Sequence, residues 1–390
     1  MTNKFIYLDN ASNCRMRKEV IKLYKKILVK KNYSNPLSFH TYGRKSKNYI
    51  EISREKISNI INCDPSEIFF TSGGTEGNIF IIKYIVKYLN IKYIITSKLE
   101  HLSVLNTIIS IKKKKKIKVF FIKNNNLGIL NLKHLYKILK KIKKKKKNIL
   151  VSIMYVNNEI GNINDINKIG YICKKNNSFF HSDLVQFIGH FKLNVKNLLC
   201  DFFTSSAHKF YGPLGIGFIY IKKNINDKLN LNKINNIILE NKNLYGILGL
   251  YKALEISNNL FLKEKKKILK LKKYCIFLLK KNFFNIKFNG LSNNLKKSSF
   301  YILNIRLPII DDLLHIKLDL KNIMISKSSS CNFINQSHVL KNILNKKSIR
   351  NTTSIRISFS IFNNIIDIEL FIYELKKIIY NNSNYLIKIN

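Results

Sequence analysis

Acidic residues are scarce in this chain, 22 against 70 lysines and arginines, which leaves a net charge of +48. Only 7 of those 70 are arginine, and tryptophan is missing altogether. A balance this basic invites a nucleic-acid reading. The composition argues against it: 63 lysines accompany an excess of asparagine and isoleucine, the skew of codons built from A and T. The lysine runs at 112–116 and 143–147 have no interleaved aromatics and flank apolar segments, so solvated helix ends or loops account for them. Non-specific attraction to polyanions is expected at low salt; specific nucleic-acid binding is not.

Other absences narrow the class. No apolar run reaches the ~18–20 residues of a membrane span without a lysine, so no membrane partner is expected. The start, Met1 to Asp9, enters strand-like sequence at once and lacks the apolar core of a signal peptide. The six cysteines (14, 63, 173, 200, 275 and 331) lie far apart with no Cys-x-x-Cys pair. Neither a zinc site nor a disulfide framework follows, no metal is expected, and a reducing, cytoplasmic setting fits better. What is present is globular: 390 residues, 46% hydrophobic, suffice for one large domain and a smaller one.

Between about residues 65 and 220, short apolar runs alternate with longer lysine-studded stretches. Candidate strands begin at Ile68, Tyr93, Lys118, Ile149, Phe179 and Phe202, with helices expected at 76–89, 100–111, 131–146 and 163–176. That alternation predicts an α/β domain with a largely parallel sheet. One long helical stretch, 244–282, leads into a second part with strands at Tyr301–Ile305 and Ser354–Phe359.

Ligands of such sheets collect beyond the carboxyl ends of the strands. Five of those ends carry polar sequence. Thr71-Ser-Gly-Gly-Thr-Glu-Gly-Asn78 opens a helix and suits phosphate, although Gly-rich strand-to-helix turns are common. Glu100-His101 offers an imidazole for stacking or proton transfer, or an ordinary surface histidine. Asn157 and Asn158 suit a carboxylate. Asp183, with Gln186 three residues on, suits a protonated pyridine nitrogen or equally a helix N-cap. Last comes Lys209, in Thr204-Ser-Ser-Ala-His-Lys-Phe-Tyr-Gly-Pro213. Desolvation at a strand end lowers a lysine's pKa and frees its amine to attack aldehydes. Pyridoxal 5'-phosphate (PLP) is an aldehyde cofactor that needs such a lysine.

These motifs resemble the cysteine desulfurases of the NifS/IscS type, within the fold-type I PLP enzymes related to class V aminotransferases. The matching segments run in order through Tyr7-Leu-Asp-Asn-Ala11, Asn35-Pro36 with His40 and Gly43-Arg44, and Phe70-Thr-Ser-Gly-Gly-Thr-Glu76. They continue through Val156-Asn-Asn-Glu-Ile-Gly161, His181-Ser-Asp-Leu-Val-Gln186 and Ala207-His-Lys-Phe-Tyr-Gly-Pro213. Ser328-Ser-Ser-Cys331, Ser337-His-Val-Leu340 and Ser354-Ile-Arg-Ile-Ser358 complete the set. The resemblance implies a large domain over 16–260 and a small α+β domain from 1–15 and 261–390 that carries the catalytic cysteine loop. It implies that Lys209 bonds covalently to PLP, Asp183 pairs with the ring nitrogen, Gln186 meets the phenolic oxygen and His101 stacks on the ring. Gly74, Thr75, Ser206 and His208 would hold the phosphate, and Asn158 and Arg356 the substrate carboxylate. Cys331, on a serine-rich loop, would take the sulfur of L-cysteine as a persulfide and release alanine. The other five cysteines lie in apolar or helical contexts where an inert thiol is the default. A homodimer, an iron–sulfur scaffold partner and further sulfur acceptors such as a tRNA-thiolation enzyme are implied with them.

Three segments depart from the family. Ala11-Ser-Asn-Cys-Arg15 stands where the family has Ala-Thr-Thr-Pro. The stretch Asn232–Asn243 lacks the Gly-rich loop whose threonine reaches the partner subunit's phosphate, and by register Asn241 replaces it. The tail is short and asparagine-rich. A degenerate PLP-fold protein kept for partner binding is therefore a second reading. A related PLP enzyme, such as a selenocysteine lyase, is a third.

Overall fold

The structure, a computed structural model, describes residues 5–29, 34–114, 117–143, 148–229, 243–328 and 337–381. Thirteen strands are found there. They are β1 (Ile6–Tyr7), β2 (Ile68–Thr71), β3 (Tyr93–Ser97), β4 (Lys118–Ile122), β5 (Ile149–Ser152), β6 (Phe179–Asp183) and β7 (Phe202–Ser206). After them come β8 (Gly217–Ile221), β9 (Lys287–Phe288), β10 (Ile302–Leu307), β11 (Ile323–Met324), β12 (Ser326–Lys327) and β13 (Thr353–Ser358).

Seven of them form one sheet in the order β2-β8-β7-β6-β5-β3-β4. Neighbours from β7 to β4 pair in parallel, and β8 alone runs against both β2 and β7. This is the α/β, largely parallel architecture expected of a fold-type I PLP enzyme. Successive residues of a strand point to opposite faces, and both faces here are covered. Ile68, Phe70 and Phe203 pack with helices Thr41–Ile61, Leu132–Lys143, Ile166–Lys175 and Leu244–Asn259. Phe69, Phe202 and Ile219 pack with the helical segment from Gly74 and with helix Leu102–Lys114. Phe202 and Phe203 are wholly buried, each contributing roughly 2–3 kcal/mol of apolar transfer.

A smaller antiparallel sheet, β12-β13-β10-β9, has its own core with Phe261–Asn282 and Ile365–Asn381. The N-terminal strand β1 joins that core through a parallel pairing with β11. Helix His338–Ile343 does the reverse: Val339, Leu340 and Ile343 pack into the core of the large sheet.

Two details differ from the sequence reading. The 244–282 stretch is two helices that part at Leu260, whose φ of −95° and ψ of 5° follow the Asn258-Asn259 pair. The helix that starts at Gly74 passes through a π turn at Ile81–Ile85. Among the described residues no helix is long and apolar enough to cross a membrane, and no group of three or more metal-ligating side chains occurs.

Candidate active site

Because β2, β3, β5, β6 and β7 end on one edge of the sheet, their last residues deliver polar side chains to a common place. A cavity of about 300 Å³ opens there. Ten of the eleven residues singled out in the sequence line it: Gly74, Thr75, His101, Asn158, Asp183, Gln186, Ser206, His208, Lys209 and Arg356. The eleventh, Cys331, and Asn241 with it, lie outside the described residues.

Strand β7 stops at Ser206, and a single 3-10 turn, Ala207–Lys209, carries the lysine to the cavity. The backbone there is held firmly. The Lys209 carbonyl accepts from His190 Nε2 at 2.8 Å and from Cys14 Sγ at 2.9 Å. Two residues on, buried Tyr211 keeps a left-handed φ of +66°, costly for a bulky side chain. The Arg17 guanidinium, 4.5 Å from its ring centroid, packs over it. Lys209 Nζ donates to the carbonyls of Ala11, at 2.9 Å, and Ser12. Burial first, and the Arg356 guanidinium second, pull its amine down to about 8. A sizeable fraction is therefore neutral and nucleophilic near physiological pH.

Asp183 ends β6, and its two oxygens are both engaged. Oδ1 accepts the Val185 amide at 2.9 Å, and Oδ2 accepts Asn78 Nδ2 at 2.7 Å. Asn78 is itself fixed, because its Oδ1 accepts from Thr204 Oγ1 at 2.8 Å. Behind them Glu100 is wholly enclosed; burial, then the charge of Asp183, raises its pKa well above the usual carboxylate range. Glu100 does not line the cavity, so Asp183 is the carboxylate that faces it. His101 Nδ1 accepts the Ser103 amide at 3.1 Å, so Nε2 is the nitrogen that carries or releases a proton. Its pKa is lowered, first by desolvation, with Lys209 and His338 adding to that effect and Asp183 opposing it.

At the other wall, Arg356 extends from β13. Its Nη1 donates to the Asn158 carbonyl at 2.8 Å, and its Nη2 meets Asp9, Ser12 and Ser326. Its Nε has no partner among the described residues. Gln186 accepts from the Tyr301 hydroxyl at Oε1 and donates from Nε2 to the Ala11 carbonyl at 2.9 Å. Ser206 and His208 meet at 2.9 Å through Oγ and Nδ1.

The sequence reading missed Asn78, Ser12, His190 and Asp9 as site residues. Asp9 and Asn78 stood in quoted motifs without a role, and only the fold brings Asp9 to Arg356, 347 residues away. Cys14 also corrects the expectation of an apolar or helical setting: its thiol sits in the N-terminal loop against the Lys209 carbonyl, and burial pushes it up to about 12.

Comparison with known proteins decides the family. The family profile "Aminotransferase class-V" matches residues 6–371. "Cysteine desulfurase IscS" of Dictyoglomus turgidum is 36% identical over 350 residues, 87% of this chain and 85% of that one. This chain belongs to the class-V aminotransferases, in their cysteine desulfurase branch. A solved NifS-like protein superposes with a TM-score of 0.84 at 27% identity, covering 96% of this chain and 99% of the other. A NifS-like protein of Rickettsia africae gives 0.79 at 30% identity, covering 96% and 99%.

Enzymes of this family depend on PLP, and the cavity fits that group chemically. It offers an amine of lowered pKa, a buried carboxylate for a ring nitrogen, and hydroxyl and imidazole donors for a phosphate. The glycine at its floor is required: a Cβ on Gly74 would stand 2.5 Å from Val185 Cγ2.

Proposed function

We propose that this protein is a PLP-dependent cysteine desulfurase that converts L-cysteine to L-alanine and leaves the sulfur as a persulfide on Cys331. The observation that carries the reading is the single cavity where Lys209, Asp183, His101, Asn158 and Arg356 converge. When bound, PLP supplies an electron sink for the bonds around the substrate's α-carbon. Lys209 would hold the cofactor through its aldehyde carbon, and its amine would take the substrate's α-hydrogen as a proton; in the cofactor-free chain burial lowers that amine to about 8, which suits attack on an aldehyde. Asp183 keeps the ring nitrogen protonated, and Gly74, Thr75, Ser206 and His208 hold the phosphate. Gln186 meets the phenolic oxygen. Asn158 and Arg356 hold the substrate carboxylate, and His101 stacks on the ring and passes a proton at Nε2. The Cys331 thiolate forms the S–S bond as the substrate C–S bond breaks, and the former Cβ takes up a proton. Cysteine and one thiol thus give alanine and one persulfide, with no outside oxidant.

Two features support Cys331. The five described cysteines all have thiols that burial raises, so none is a ready thiolate. The segment holding Cys331 is flanked by Ser328 and Ser337, and both line a second cavity of about 430 Å³ that shares His101, Asn158 and Arg356 with the first.

We propose that the persulfide sulfur passes to an iron–sulfur scaffold, a reading supported by the IscS name of the relatives; the homodimer, the cytoplasmic setting and the other acceptors rest on the sequence alone. The separate core that gathers Ile6, Leu8 and Ala11 with residues 268–379 supports a division into 16–260 and 1–15 plus 261–390.

The test is direct. Protein with PLP and L-cysteine should yield alanine and a reducible persulfide, located by mass on the peptide around Cys331. Cys331→Ser should remove the persulfide and leave the visible absorbance of bound PLP intact. Bound PLP without persulfide in the wild type would defeat the desulfurase reading, and persulfide on Cys14 would reassign the nucleophile.

A further inference from the structure

Lys272 is a lysine that the fold encloses completely. It sits mid-way along helix Phe261–Asn282, on the buried stripe of Ile268, Leu271, Cys275 and Leu279. No carboxylate pairs with it among the described residues. Its Nζ donates to the Ser299 carbonyl at 2.6 Å and to Ser298 Oγ at 2.9 Å. An enclosed ammonium without a counter-charge costs several kcal/mol, and methionine would fill the same space without that cost. Burial alone pulls its amine down to about 7.

The two serines are not an isolated pair of acceptors. Ser299 donates its amide to the Gly161 carbonyl at 2.7 Å, Ser298 forms a β-bridge with Asn162, and Ile163 donates to the Lys297 carbonyl at 3.2 Å. Gly161, at a φ of +70°, leans on Ile302 of β10, where a Cβ would come within 3.2 Å. This turn is the one that presents Asn158. Asn157 Oδ1 accepts the amides of Glu159 and Ile160, and Gly161 closes it by donating to the Asn157 carbonyl at 3.0 Å. The Asn158 carbonyl then receives Arg356 Nη1.

We propose that Lys272 is a positioning residue whose buried amine fixes the 292–299 loop against the 157–161 turn and so sets Asn158 at the substrate-carboxylate end of the cavity. The kinetic part rests on the assignment of Asn158 made above; the structural part does not.

The experiment compares full-length, PLP-loaded wild type, Lys272→Met and Asn158→Ala. In Lys272→Met, amide exchange at Ser299 and Gly161 should accelerate at least about fivefold, the factor for losing one ordinary hydrogen bond. The melting temperature should hold or rise, because a buried charge has been removed. KM for L-cysteine should rise by a similar factor, with kcat within about twofold. Unchanged exchange at Ser299 and Gly161 would overturn the proposal. So would faster exchange with unchanged KM if Asn158→Ala does raise KM. If Asn158→Ala leaves KM unchanged, the carboxylate assignment falls and the exchange measurement alone decides the tether. Should Lys272→Met fail to fold, Ser298→Ala, which leaves Lys272 Nζ the Ser299 carbonyl as its remaining acceptor, is read by the same measurements.

Discussion

Lys209 and Lys272 are both taken out of water, and both lose basicity for that reason first, to about 8 and about 7. Their surroundings then diverge. Lys209 opens on a cavity ringed by a carboxylate, two imidazoles, an arginine and amides. Lys272 meets two serines at the back of a helix and lines none of the cavities described above. A depressed lysine pKa is thus a statement about burial. Chemistry needs the converging partners and the space for a reactant.

The sharpest way to break that contrast is at Lys209 itself. Lys209→Ala should reduce cysteine turnover by at least about 10³-fold, since it removes both the cofactor anchor and the proton carrier. Borohydride treatment of the PLP-loaded wild type should fix the cofactor on the peptide containing Lys209, and none on the peptide containing Lys272. Capture by the cofactor-free protein should speed up as pH rises through about 8, because the amine must be neutral to attack. Labelling at Lys272 would show that burial alone suffices and that the cavity argument is wrong.

A smaller effect is expected one strand away. Asp183→Asn keeps the shape and a hydrogen-bonding group but removes the charge, and kcat should fall about 10²-fold. KM should change much less, since the substrate is held by the opposite wall. An unaltered kcat would mean that Asp183 is not the group that holds the ring nitrogen protonated.

Much of this site could be read from the sequence because a parallel sheet turns linear order into spatial order. Short apolar runs marked the strands, and each strand end delivered its polar residues to one edge; the Thr71–Asn78 segment, Asp183 and Lys209 could be placed there from strand order, while the choice of Thr75 within its segment came from the family resemblance. The pairs that depend on long-range closure could not be read that way. Asp9 and Arg356 meet only because β1 lies along β11 and because Asp9 bridges to Ser358 at the end of β13. Helices Lys18–Val29 and Thr41–Ile61 precede the strand–helix alternation that begins at Ile68, so that pattern does not mark them. Lys272 was one lysine among 63. A signal for it was present: Ile268, Leu271, Cys275 and Leu279 recur at helical spacing, and Lys272 falls on that stripe.

A pH dependence of stability separates the two lysines thermodynamically. In an unfolded chain a lysine titrates near 10.4. For Lys272 the folded value is about 7, so between about 7 and 10.4 the unfolded chain holds a proton that the folded chain has released. Stability must then rise with pH across that window, by up to ~1.4 kcal/mol per unit. Below about 7 both states are charged, and the full cost of enclosing an ammonium is felt. Lys209 contributes in the same direction from about 8, but it is present in both proteins and cancels when wild type is compared with Lys272→Met. Denaturant unfolding of the cofactor-free pair should therefore show the methionine variant ahead at pH 6.5. That lead should shrink steadily toward pH 9.5. A lead that stays constant with pH would mean that Lys272 remains charged in the folded protein throughout, with its two serine contacts sufficient to hold the ammonium form.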